Sequence, residues 1–194
     1  MNEERYLKQV RAEIEALRAL LETLPEGEAA KLVRMAGVIA EALRARHVVF
    51  TCGNGGSAAD AQHIAGELVG RFHRRKVKGY KASALTTNSS IVTALANDFS
   101  FDEIFSRQIE GRGEKGDVLL ALSTSGASPN VVRAAEAANA LGMTSLAFSG
   151  KGGGRLAEVS RIAVVVPHDD FARVQEVHMT LGHILCGLVE DMVG

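Results

Sequence analysis

The amino-acid sequence predicts an α/β protein: a three-layer αβα sandwich on a five-stranded parallel sheet, with two helices added before the first strand. Three observations carry this prediction. Short apolar runs rich in β-branched residues alternate with longer segments of helical periodicity. The connections between those runs are long enough to be crossover helices, which satisfy right-handed connection rules only as a parallel sheet covered on both faces. Glycine- and serine-rich stretches follow the runs where strand-to-helix loops belong. With 194 residues, 46% of them hydrophobic, the chain can bury about 70% of its unfolded surface in one core.

Taken in order, Leu7, Val10, Ile14, Leu17, Leu21 and Leu24 recur at helical spacing until Pro25 to Gly27 interrupts them. A second amphipathic helix carries Leu32, Met35, Ile39 and Leu43. The first strand is expected at residues 47–52, a helix at 57–72, and the second strand at 82–86. Helices follow within 89–112, a strand at 117–123, a helix at 129–141 and a strand at 144–149. A short helix at 155–159, a last strand at 162–167 and a long helix from about residue 171 complete the pattern. Ligands in such sheets sit beyond the carboxyl ends of the strands, which directs attention to residues 52–57, 86–90, 123–128 and 167–173.

Charge narrows the partners. The 22 basic and 23 acidic residues give a formal net charge of −1, which argues against general binding to nucleic acid or anionic membranes. The basic cluster from Arg71 to Lys78 reads as a solvated loop. No apolar run approaches the roughly 18 residues of a membrane span, and the charged start is not signal-like, so a cytoplasmic location is expected. Cys52 and Cys186 form no CxxC and read as small buried apolar residues.

Two loops have the chemistry of an anion site. Cys52-Gly53-Asn54-Gly55-Gly56-Ser57 leads into a helix with Ser57 as expected N-cap, leaving glycine amides and a helix dipole free to meet a small polar ligand. Ser123-Thr124-Ser125-Gly126-Ala127-Ser128 precedes Pro129, which makes Ser128 the natural N-cap of the next helix. Ordinary capping explains one or two of its four hydroxyls; a phosphate site explains all four.

Two helical pairs could carry chemistry. His63 and Glu67 are four residues apart, and Gln175 and His183 eight apart on the last helix, so each pair lies near one helical face. A polar stripe on a helix otherwise apolar through Leu181, Ile184, Leu185 and Leu188 needs buried partners or a ligand. His178 reads as a core or surface histidine. Two histidines, a glutamate and an amide oxygen suit zinc or another divalent metal; the same glutamate and histidine could serve as base and acid, and spacing does not choose between these.

Together, the loop at 52–57, Ala61-Gln-His-Ile-Ala-Gly-Glu67-Leu-Val-Gly-Arg71, Asn97-Asp98-Phe99, Gly116-Asp-Val-Leu-Leu120, Ser123-Thr-Ser-Gly126 and Arg173-Val-Gln-Glu-Val-His178 resemble the sedoheptulose 7-phosphate (phosphoheptose) isomerases of the sugar isomerase, or SIS, superfamily. The resemblance runs through nearly the whole chain. It implies one SIS domain over residues 1–194 with a flavodoxin-like sheet, residues 1–46 forming a helical hairpin that packs on it and on neighbouring subunits of a homotetramer. It implies conversion of sedoheptulose 7-phosphate to D-glycero-D-manno-heptose 7-phosphate, the first step toward nucleotide-activated heptose, with Glu67 as base and His183 as acid. The family's zinc ligands fall on His63, Glu67, Gln175 and His183. Its phosphate contacts fall on Ser57, Ser123, Thr124, Ser125 and Ser128, its sugar contacts on Asn54, Gly55, Gly56, Asn97 and Asp98, and Gln175 also faces substrate. Gly66 departs from members that carry a second glutamate there.

Two other readings share these loops. A non-catalytic SIS relative that binds the bacterial replication initiator lacks the catalytic glutamate and last histidine, whereas Glu67 and His183 are present here. An isomerase or sensor for another sugar phosphate would share the phosphate loop.

Overall fold

The computed structural model describes residues 1–194 except 71 and 74–78, so most of the basic cluster lies outside the described residues. Among the described residues, eight α-helices and five strands follow the expected order. They are α1 (Glu3–Glu22), α2 (Glu26–Arg44), β1 (Val49–Cys52), α3 (Gly56–Val69), β2 (Ala82–Ala84), α4 (Ser89–Asp98), α5 (Ser106–Arg112), β3 (Val118–Ser123), α6 (Pro129–Ala140), β4 (Thr144–Ser149), α7 (Gly154–Val159), β5 (Ile162–Val165) and α8 (Phe171–Val193), with a 3-10 turn at Phe101–Glu103. All strand pairs are parallel, in the order β2-β1-β3-β4-β5. This is the flavodoxin-like arrangement, whose switch point lies between β1 and β3.

Strand alternation builds both outer layers. Val118, Leu120 and Leu122 of β3 enter a core with Leu146 and Phe148 of β4, closed by α2, α3 and α8. Leu119 and Ala121, with Phe50, Cys52 and Ala147, face the opposite core under α5, α6 and α7. Small side chains on that face let the alanine-rich stripe Ala134, Ala135 and Ala138 of α6 lie close to the sheet.

Several element ends differ from expectation. β1 starts at Val49 because the Val48 amide donates to the Asp117 carboxylate at 2.8 Å. α3 closes at Gly70, before residue 72, and β2 is only three residues long. On the edge strand β5, Glu28 of α2 accepts from the Val165 amide at 2.8 Å, which covers a donor that an open sheet edge would otherwise present.

Among the described residues no helix is long and apolar enough to cross a membrane. α1 buries only Leu20, while Leu17 and Leu24 pack against the core. Tyr6, Leu7, Val10, Ile14 and Leu21 stay exposed. Arg173 of α8 ties the helix down, donating to the Glu13 carbonyl oxygen at 2.7 Å and to Glu176 at 2.7 Å.

Candidate active site

β1 and β3 are register neighbours, Cys52 opposite Ala121, so the two glycine- and serine-rich loops leave adjacent strand ends. In the first loop the N-cap is Gly55, two residues before the expected Ser57, and Gly55 adopts φ +54°. Only a residue without a side chain takes that turn readily. Ser57 is instead buried in the first turn of α3. Asn54 and Asn130 exchange two amide hydrogen bonds of 2.8 and 2.9 Å, which tie the first loop to the start of α6. Asn130 is 1% exposed; the sequence pattern missed it because the two asparagines are 76 residues apart.

In the second loop Ser128 is the N-cap of α6, as expected, but its side chain makes no capping bond. Its hydroxyl lies 3.1 Å from that of Ser123, which is 3.3 Å from that of Ser125. The Gly126 amide donates to Ser123 Oγ and the Ala127 amide to Ser125 Oγ, both at 3.2 Å. Hydroxyls therefore converge on one another rather than on the helix's own amides. A side chain on Gly126, at φ +65°, would overlap the Gly153 carbonyl, so the turn after β4 backs this loop.

α3 and α8 pack side by side, with Gly182 of α8 set against Ile64 of α3. This brings the two sequence pairs together. His63 Nε2 lies 2.9 Å from His183 Nε2 and 3.3 Å from Glu67 Oε1. The donor atoms of all three residues fall within 4.8 Å of one another. Two imidazole nitrogens and a carboxylate oxygen converging so closely are a donor set of the type zinc takes. Phe72 stacks on His183 at 5.7 Å between ring centroids.

Gln175 lies eight residues before His183 on α8, about two turns away. Its Nε2 donates to Asp60 Oδ1 at 3.2 Å, and a side chain at Gly56 would overlap its amide. Asp60, also missed from sequence, is 5% exposed. Burial raises its pKa, opposed by the Gln175 hydrogen bond and the nearby His63. Its spacing of three from His63 was the available signal.

Asn97 and Asp98 end α4, exposed, with Asn97 donating to Asp98 at 2.9 Å. A cleft of about 190 Å³ lined by Gly53, Asn54, Gly55, Thr86 and Phe101 opens beside the first loop. His178 is fully buried and donates from Nε2 to the Ser149 carbonyl oxygen at 3.2 Å; burial lowers its pKa to about 4. It is a core histidine. Cys52 and Cys186 are buried as expected, and burial pushes the Cys52 thiol up to about 12, leaving no thiolate to act as nucleophile at neutral pH.

Sheet order and loop chemistry define the class: residues 14–150 match the SIS domain family. The phosphoheptose isomerase of Aquifex aeolicus is 50% identical over 165 residues, 85% of this chain and 86% of that protein. That of Rhodospirillum rubrum is 50% identical over 160 residues, 82% and 85% of the two chains. A solved phosphoheptose isomerase from Neisseria gonorrhoeae has a TM-score of 0.85 and 36% identity, covering 98% of this chain and 100% of that one. The chain belongs to the phosphoheptose isomerase family of SIS-domain phosphosugar isomerases.

Proposed function

We propose that this enzyme converts sedoheptulose 7-phosphate to D-glycero-D-manno-heptose 7-phosphate in the cytoplasm, as the first step toward nucleotide-activated heptose. The observation that carries the proposal is the convergence of His63, Glu67 and His183 at the α3–α8 junction. Ser57, Ser123, Thr124, Ser125 and Ser128 hold the phosphate; Asn54, Gly55, Gly56, Asn97, Asp98 and Gln175 hold the sugar.

The Glu67 carboxylate takes a proton from C1, and the electron pair of that C–H bond forms the C1–C2 double bond of an enediolate. His183 donates a proton to O2. Return of a proton to C2 and loss of the O1 proton leave the aldehyde, with no net change of atoms. Base and acid must flank the two carbons, which a carboxylate on α3 and an imidazole on α8 can do.

His63, Glu67, Gln175 and His183 form the proposed zinc site, and the bound metal supplies a Lewis acid for charge developing on substrate oxygens. Residues 1–194 act as one SIS domain. Residues 1–46 pack on it and, through the exposed apolar stripe of α1, on neighbouring subunits of a homotetramer.

The test is incubation of purified protein with sedoheptulose 7-phosphate in deuterium oxide, followed by proton NMR of the aldose anomeric signal. Aldose formation that Glu67→Gln and His183→Gln each abolish is the expected result. Folded, zinc-supplemented wild-type protein that leaves this ketose unchanged but isomerises a pentose or hexose phosphate would overturn the substrate assignment.

A further inference from the structure

Asp60 has no part in the chemistry above, yet it is a carboxylate buried to 5% exposure on the helix that carries His63 and Glu67. Its Oδ1 accepts from Gln175 Nε2 at 3.2 Å. Among the described residues Oδ2 is buried without a hydrogen-bond partner. Taking a carboxylate out of water costs more than a single neutral donor offsets, so Asp60 is poorly explained as a stabiliser of the fold. Nor does it cap its helix, since α3 begins four residues earlier at Gly56.

Its partner explains it better. A glutamine amide has two ends alike in shape and opposite in polarity, and its terminal torsion is broad and roughly two-fold. An ionised carboxylate only accepts hydrogen bonds, so it selects the rotamer with Nε2 toward itself and Oε1 turned away. The bare Gly56 backbone, where any side chain would overlap the amide, confines the same group from the start of α3. We propose that Asp60 is a positioning residue that fixes the amide of Gln175 and so presents Oε1 as an acceptor to the metal. The proposal rests on the reading of Gln175 as a zinc ligand; outer-shell partners of this kind typically alter metal affinity 10- to 100-fold.

The experiment measures zinc affinity of the metal-stripped full-length protein by competition with a chromophoric chelator, alongside its thermal midpoint. The proteins are wild type, Asp60→Leu, Asp60→Asn and Gln175→Ala, with each Asp60 substitution also made in the Gln175→Ala background. Asp60→Leu is expected to weaken zinc binding about tenfold or more without lowering the thermal midpoint, because an apolar side chain replaces a buried charge. Asp60→Asn, which can still offer an oxygen to Nε2, should lose less. In the Gln175→Ala background Asp60→Leu should have almost no further effect. Wild-type affinity in Asp60→Leu, or an equal loss with and without Gln175, overturns the role of Asp60 alone. Wild-type affinity in Gln175→Ala overturns the reading of Gln175 and the proposal with it. Should Asp60→Leu fail to fold, Asp60→Asn carries the same comparison in both backgrounds, and additivity there overturns the proposal.

Discussion

At the scale of single residues, two glycines separate the demands of fold and site. A methyl group on Gly56 meets the far end of the flexible Gln175 side chain, whereas one on Gly126 meets the Gly153 backbone at a left-handed φ of +65°. Gly56→Ala should therefore leave the thermal midpoint nearly unchanged while displacing the amide and weakening zinc binding. Gly126→Ala should destabilise the fold by about 1–3 kcal/mol, since backbone cannot swing aside. Thermal melts with zinc titrations on both variants check the contrast. Residue identities alone do not reveal this difference. The sequence shows glycines after both strands, but only the packed structure shows which neighbour each one meets.

At the scale of elements, α8 is the informative helix. Beside its buried stripe of Val174, Val177, Leu181, Leu185 and Val189 lies the buried His178, bonded to the end of β4. Its pKa falls from 6.5 to about 4 because burial disfavours the charged ring. Between these values the unfolded chain binds more protons than the folded one, so stability rises with pH across the window. It is fully present above about pH 6.5 and is lost as pH falls toward 4. The effect amounts to at most about 3 kcal/mol. Urea midpoints at pH 6.5 and 4.5 should differ less for His178→Gln than for the wild type. The opposite face of α8 carries Gln175 and His183, and helical spacing made both faces legible. Spacing did not reveal that α3 runs beside α8 closely enough to set His63 Nε2 2.9 Å from His183 Nε2. Asp60 lies three residues before His63, which also sets it near the same helical face, but sequence cannot tell a buried carboxylate from a solvated one.

At the scale of the whole molecule, α1 is only partly used by its own chain. Val10 and Ile14 are 55% and 64% exposed on a helix whose buried side holds Leu20. Burying such a stripe between copies removes apolar surface from water, and charging it opposes assembly. If this stripe forms the interface of the proposed homotetramer, Val10→Glu/Ile14→Glu should yield smaller species than the wild type in light scattering while circular dichroism stays helical. Unchanged mass would exclude this stripe from the interface.

The sequence by itself determined the layered α/β architecture, the order of strands and helices along the chain and the two glycine- and serine-rich loops. These depend on local periodicity and turn chemistry, which reside in neighbouring residues. It also marked His63, Glu67, Gln175 and His183 as pairs, because a helix converts spacing into a shared face. Tertiary structure alone decided which pairs meet, that Asn54 is held by Asn130, that Ser128 joins its hydroxyl to Ser123, and that Asp60 is buried against Gln175. Those contacts depend on how helices and loops distant in sequence pack on one sheet, and spacing within one element carries no information about that packing.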